Sequence, residues 1–295
     1  MSDMTQRGSV SDMSCNGAWS APYPHRRRIV LLGALLLLIA GTATADALHP
    51  HDDDSVDDLV RAAQNPVATM VSLPFQNNLQ QLENGSTFNT LLIQPVLPFR
   101  LNADWNLVTR TIIPAVALSS PPTGVSRWAL GDIQQSFFFS PNEFSSSAQV
   151  WGAGPVVSYP TASDSAYGSG KWGLGPSFVG VQFSGPWVVG ALLNNVWSVA
   201  GDSDRRGVSF LSFQPFVNYN MSGGWFLQSA PLINADWKAS NGNQWTVPVG
   251  GGAGRTFRIG SQAVTAVMSG FYNVERPDGG PRWNLRCQLT FMFPK

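Results

Sequence analysis

The chain has 295 residues, 43 % of them hydrophobic and only 12 % charged, with 18 basic side chains balanced by 18 acidic ones. A charged fraction of about half the globular average excludes an ordinary solvated surface over most of the molecule, and the absence of net charge removes the electrostatic case for nucleic-acid binding. No apolar run reaches the roughly 20 residues of a membrane-spanning helix, so any membrane crossing must be made by strands.

Three arginines, Arg26 to Arg28, lead into the apolar run Ile29 to Ala40, and Ala43-Thr44-Ala45 then offers the small residues of a peptidase site. This is the layout of a cleavable export signal over residues 1–45, because a dozen apolar residues are too few for an uncleaved anchor. The lead-in is long for such a signal and leaves Met13 as an alternative start. Cleavage would remove four basic and two acidic residues, leaving 14 against 16, and would leave Cys287 as the one cysteine, so that no intramolecular disulfide can form. Residues 46–66 are acidic, and Ser55 can cap a short helix with Val56, Leu59 and Val60 on one face. They predict a mobile, partly helical periplasmic segment ahead of a barrel over 67–295.

Strand candidates follow at 67–76, 88–100, 104–117, 128–140, 147–159, 171–183, 186–199, 208–219, 224–237, 243–256, 262–273 and 282–293. The last one shows the pattern best: Trp283, Leu285, Cys287, Leu289, Phe291 and Phe293 alternate with Asn284, Arg286, Gln288 and Thr290. Successive strand residues point to opposite faces, so this strand has an apolar side and a polar side, and it is about twice the ordinary length. The connections alternate too. Leu101 to Asp104, Ser184 to Pro186 and Met221 to Gly224 are tight, whereas Gln76 to Thr87, Ser119 to Arg127, Pro160 to Gly170, Ala200 to Gly207 and Val274 to Arg282 are longer and polar; Ser140 to Ser147 breaks the rule. Trp105, Trp128, Trp172, Trp187, Trp197, Trp225, Trp237, Trp245 and Trp283 fall near predicted strand ends, where an amphipathic ring meets a bilayer interface.

Alternation by itself also suits a soluble β-sandwich. Strand length, tryptophan placement, loop asymmetry and the export signal together point instead to an all-β protein, an antiparallel transmembrane β-barrel of about twelve strands, within a range of ten to fourteen. Trp151-Gly152-Ala153-Gly154-Pro155 is echoed by Trp172-Gly173-Leu174-Gly175-Pro176, which suggests growth by hairpin duplication. Prolines inside strands predict bulges or ends, and the glycines of Val249 to Gly254 predict a bulge or a break.

Asn65-Pro66-Val67-Ala68, Leu73-Pro74-Phe75-Gln76-Asn77-Asn78, Asp104-Trp105-Asn106-Leu107, Arg110-Thr111-Ile112-Ile113-Pro114 and Leu130-Gly131-Asp132-Ile133-Gln134 resemble segments of a family of bacterial outer-membrane proteins. So do Gly170 to Pro176, Asn194-Asn195-Val196-Trp197, Gln214 to Tyr219 and the closing Phe291 to Lys295. Members of that family are known either as proteins of the MetA pathway of phenol degradation or, misleadingly, as neuromedin U. The resemblance implies a Gram-negative outer-membrane barrel with a transporter-like role, and it supplies no catalytic residue. Such chains commonly end on an aromatic residue that assists the barrel-assembly machinery; here Phe293 stands two places inward.

An outer-membrane hydrolase of the serine type needs a histidine base, and after signal removal only His49 and His51 remain, both ahead of the barrel. No enzyme is expected. His49, His51 and Asp52 to Asp54 could ligate a cation but equally form an acidic tail, and Gly168-Ser169-Gly170-Lys171 lacks the first glycine and the final Ser or Thr of a phosphate loop. No metal and no cofactor are assigned. Extending the alternation inward places Gln94, Arg100, Asn106, Arg110, Asp132, Gln134, Asn194, Gln214, Asn218, Asn234, Asp236, Asn273, Asn284, Arg286 and Gln288 on the lumen, interleaved with Leu92, Val108, Ile112, Leu192, Phe216, Phe226 and Leu232. Asn195 breaks the phase unless its strand slips. Arg110, Arg286, Asp132 and Asp236 could form an internal ion-pair network, or a half-apolar bore could pass small apolar or aromatic solutes. A structural or adhesive barrel with a plugged lumen is the alternative. Outer-membrane lipid is the expected partner; the oligomeric state is left open.

Overall fold

The structure is a computed structural model, and the residues it describes are 59–65, 67, 70–119, 126–142 and 148–293. The expected signal peptide, the acidic stretch through residue 58 and the last two residues lie outside the described residues. The strands are β1 (Val71–Gln81), β2 (Thr87–Ile93), β3 (Val96–Arg100), β4 (Trp105–Ser119), β5 (Ser126–Leu130), β6 (Ile133–Pro141), β7 (Gln149–Tyr159), β8 (Lys171–Ser184), β9 (Trp187–Gly201), β10 (Ser209–Asn220), β11 (Trp225–Ser229), β12 (Ile233–Asp236), β13 (Trp245–Ile259), β14 (Gln262–Glu275) and β15 (Trp283–Phe293).

These segments make twelve staves, because β2 and β3, β5 and β6, and β11 and β12 are each the two halves of one interrupted stave. Every stave pairs antiparallel with its neighbours in sequence, and β15 closes onto β1 without a slip from Val71↔Phe293 to Gln81↔Trp283. The fold is thus the closed twelve-strand antiparallel barrel that the alternation predicts.

The structure departs from expectation in two places. The first strand lies at Val71–Gln81 rather than 67–76, since its frame is set by pairing with β15 and not by its own hydrophobicity. The stretches 88–100, 128–140 and 224–237, read as single strands, are split at Gln94-Pro95, at Gly131-Asp132 and at Ala230-Pro231-Leu232. Proline has no N–H to give the ladder, which accounts for two of the splits. The glycine-rich stretch stays within β13, where the register shifts between Val247 and Pro248.

Burial alternates along each stave. On β9, Val188, Leu192, Asn194 and Val196 are buried, while Trp187, Val189, Leu193 and Trp197 between them are exposed. The exposed side chains form an apolar outer face, and the buried ones an inner face mixing amides, hydroxyls and hydrocarbon. Trp105, Trp187 and Trp225 ring the end at which β1 begins and β15 stops (the terminus end); Trp128, Trp172, Trp197, Trp237, Trp245 and Trp283 ring the other, and all are exposed. Several sit edge-on to another ring, as Trp105 does to Trp151 at 6.3 Å and Trp237 to Trp245 at 5.4 Å. Asn195 keeps its outward phase without a slip, and there its Oδ1 accepts from the Trp237 indole Nε1–H at 2.9 Å.

Tight turns lie at the terminus end, except for the longer connection between β6 and β7, and longer loops at the opposite end. Two of those loops are tied by charge: Glu83, between β1 and β2, accepts hydrogen bonds from Arg276 at 2.7 Å and Arg282 at 3.4 Å, both between β14 and β15. Arg276 beside it holds the Glu83 carboxyl below the usual carboxylate range. A group with a lowered folded pKa contributes its stabilisation above the unfolded value, about 4.3 for Glu, and loses it as pH falls through the lowered value. Acidification through that window is expected to speed amide exchange over 276–282, corrected for the intrinsic rate and read by mass spectrometry. Glu83→Gln should show the faster exchange already at neutral pH.

Candidate functional site

The bore is crossed by a chain of side-chain hydrogen bonds that runs over four neighbouring staves. Arg110 on β4 donates through Nη2 to Gln94 Oε1, and Gln94 Nε2 reaches Gln76 Oε1 on β1 at 3.5 Å. Gln76 Nε2 and Arg286 Nε, from β15, both donate to Asn78 Oδ1 at 3.2 Å, with Asn284 Nδ2 adding a third donor at 3.4 Å. The interruptions in the staves supply two of the anchors. Gln94 sits in the gap between β2 and β3, held by its backbone N–H on Pro74 O at 2.9 Å. Ala230, in the gap between β11 and β12, has a carbonyl released from the ladder, which accepts from Arg286 Nη1 at 2.8 Å and Gln214 Nε2 at 3.4 Å. Arg286 also lies over the Phe271 ring, 4.8 Å from its centroid.

Hydrocarbon borders this polar band. Phe138, Leu192, Phe216 and Phe226 line a cavity of about 210 Å³ together with Arg110, Gln94, Asn218 and Arg286. Glycines make room for two of these rings. A Cβ on Gly254 would stand 2.4 Å from Phe226 Cζ, and one on Gly190 would stand 2.4 Å from Phe216 Cζ. Asn218 Oδ1, buried on the cavity wall, finds no hydrogen-bond partner among the described residues.

The described part of the N-terminal segment, residues 59–65, lies inside the terminus-end mouth. A helical turn over 59–63 rests Leu59 on Ala263 and Met292. Arg61 Nη2 donates to Gly185 O at 3.0 Å and Gln64 Nε2 to Asn220 Oδ1 at 2.9 Å. Val67 is 5 % exposed, buried among Val108, Phe138, Val150, Val179 and Leu192. Ala62, Ala63, Gln64 and Asn65 thereby become one wall of the cavity.

Of the residues placed on the lumen from sequence, Gln94, Arg110, Gln214, Asn218, Arg286 and Gln288 line this cavity. Asn106 and Asn194 are buried away from it, and Asn284 is half-buried on Asn78. Gln134 is half-buried, while Asn234 accepts from Ser212 Oγ at 3.1 Å near the loop end. Asn273 Nδ2 donates to Pro281 O at 2.7 Å. Arg100 is exposed at the terminus end, its Nε on Asn102 O. The internal ion-pair network does not form among the described residues. Asp132 accepts from Ser169 N at 2.6 Å, Ser169 Oγ at 2.7 Å and Ala162 N at 3.1 Å, fastening the loop over 160–170. Asp236 pairs with Arg206 at 2.7 Å. Both carboxylates are committed at the loop end, and neither arginine of the bore meets one. Gln76, Asn78 and Gln228 were missed; shifting the first strand's frame to 71–81 would have placed the first two inward.

Because the Gly254 and Gly190 positions leave no space for a side chain, Gly254→Ala is expected to force Phe226 toward the cavity. Overpacking of this kind costs about 1–3 kcal/mol, and the measurement is a lowered temperature for loss of the compact band of the unboiled protein in detergent gels.

No protein-family model and no curated protein matches the chain. Among solved structures it is similar to the COG4313 outer membrane channel from Pseudomonas putida F1, with a TM-score of 0.57 at 17 % identity over 76 % of this chain and 94 % of that one. It is also similar to the translocator domain of the autotransporter NalP from Neisseria meningitidis, with a TM-score of 0.45 at 10 % identity over 82 % of this chain and 95 % of that one. A Pseudomonas aeruginosa FadL homologue gives a TM-score of 0.32 at 12 % identity over 70 % and 68 %. The first likeness shows the barrel fold and nothing finer; the other two carry no further argument.

Proposed function

We propose that this barrel sits in the bacterial outer membrane, delivered there by a cleaved signal over residues 1–45, and passes small solutes with apolar or aromatic bodies by passive diffusion. The observation that carries this reading is the cavity of about 210 Å³ inside a closed barrel, walled on one side by amides and on the other by Phe138, Phe216, Phe226 and Leu192. A site with a mostly apolar wall and a few placed polar groups is how small organic molecules are held, and a closed ladder with an apolar outer face is what a hydrocarbon solvent requires of a spanning sheet. The likeness to the MetA-pathway family agrees with a transporter-like role. The reading is non-enzymatic: beyond His51 the sequence has no histidine to serve a serine hydrolase as its base. Outer-membrane lipid against the exposed belt and the assembly machinery acting at Phe293 are its partners.

A second reading, a barrel closed by its own N-terminal segment and acting through its loops, is favoured by the seating of Arg61, Gln64 and Val67 in the mouth. Planar-bilayer recordings separate the two. The channel reading expects small unitary currents from the intact protein and a several-fold larger conductance once residues 46–64 are deleted, with phenol-like solutes entering loaded liposomes faster than into protein-free ones. No current from either form, and no faster entry, would leave the plugged barrel.

A further inference from the structure

The bore holds two guanidinium groups, and no Asp or Glu stands among the described residues that line their cavity. Arg286 is 7 % exposed and Arg110 half-buried. Their partners are neutral: the Gln94 carboxamide for Arg110, and for Arg286 the Asn78 carboxamide, the Ala230 carbonyl and the Phe271 ring. A buried charge is costly unless it is paired, and neutral acceptors return only part of its lost hydration. An enclosed region with two cations and amide dipoles therefore attracts an anion.

The two arginines differ in what they leave open. Arg286 uses Nε and Nη1. Arg110 gives a hydrogen bond only through Nη2, to Gln94, among the described residues. A guanidinium carries five N–H donors in a planar fork that matches a carboxylate, so most of the Arg110 fork is free to face the cavity. Its neighbours there are hydrocarbon: Val96 lies directly opposite Arg110 on β3, and Phe138 lies on β6 two residues from Ser136, its register partner. A cavity of about 150 Å³ suffices for benzene, so about 210 Å³ accommodates a ring with a carboxylate.

We propose that this cavity is a binding site for small monocarboxylates with an aromatic or compact apolar body, the carboxylate held by the free edge of Arg110 and the body by Phe138, Val96 and Leu192. The proposal rests on the channel reading and narrows its solute class: the preferred solute is an organic anion rather than a neutral hydrocarbon. Arg286 supplies the second positive charge of the bore.

Calorimetric titration of the purified protein in detergent at neutral pH with benzoate, and with benzamide as its neutral isostere, tests this directly. Benzoate is expected to bind at least tenfold more tightly than benzamide. Arg110→Gln should weaken benzoate at least tenfold and leave benzamide unchanged, and Arg110→Lys should recover part of the loss because it restores the charge without the fork. Equal binding of the two ligands to the unaltered protein would overturn the proposal whatever the variants do. So would an Arg110→Gln variant that keeps the compact unboiled band and binds benzoate as before. A protein that binds benzoate selectively yet carries no current in bilayers supports the site and overturns only the channel reading. One that conducts and takes up neutral solutes without preferring benzoate overturns the site and leaves the channel reading standing.

Discussion

The structure depends on the closure of one hydrogen-bond ladder. In hydrocarbon no water replaces a missing partner, so each backbone N–H and C=O on a spanning segment must be paired within the protein. The β1–β15 seam meets that demand along eleven residue pairs without a slip. Closure removes both sheet edges and divides all side chains into an outer and an inner set. The apolar outer face, the two tryptophan rings and the enclosed bore all follow from it.

Where the ladder is interrupted, side chains take over the work of the backbone. The gap at Gln94-Pro95 turns Gln94 into the acceptor for Arg110, and the gap at Ala230-Pro231-Leu232 frees a carbonyl for Arg286 and Gln214. The gap at Gly131-Asp132 faces the loops instead, and there Asp132 fastens the segment around Ser169. Two interruptions thus build the polar half of the cavity, and the third secures the rim. The apolar half depends on the opposite device, the removal of side chains: Gly190 and Gly254 clear the space that Phe216 and Phe226 fill. The mouth is then narrowed by residues 59–65 and 67, which supply their own contacts to the barrel.

Much of this was legible in the chain. The alternation from Trp283 to Phe293 assigns each side chain of β15 to a face, and the structure agrees down to the buried Arg286, Thr290 and Met292. Asn195 is instructive because the simple rule put it outside, where an amide looked misplaced; it is outside, with its Oδ1 taken by the Trp237 indole. The frame of β1 was not legible, since Leu73 and Phe75 fit either boundary and only pairing with β15 chooses between them. Nor were the three splits, because a proline or glycine marks a weak point without saying whether the strand bulges or stops.

The sequence by itself determined which way each side chain points, because the two-residue period of a strand is a local property that needs no partner. It also pointed to about twelve staves, within a range of ten to fourteen, and to the alternation of short and long connections. Only the tertiary structure decided which inward side chains meet: that Arg110 finds Gln94 rather than Asp132, that Arg286 reaches a carbonyl from the β11–β12 gap, and that Val67 enters the bore. Those meetings depend on how staves distant in sequence are staggered around the closed barrel and on where the N-terminal segment turns inward, and neither is encoded in the alternation of any one strand.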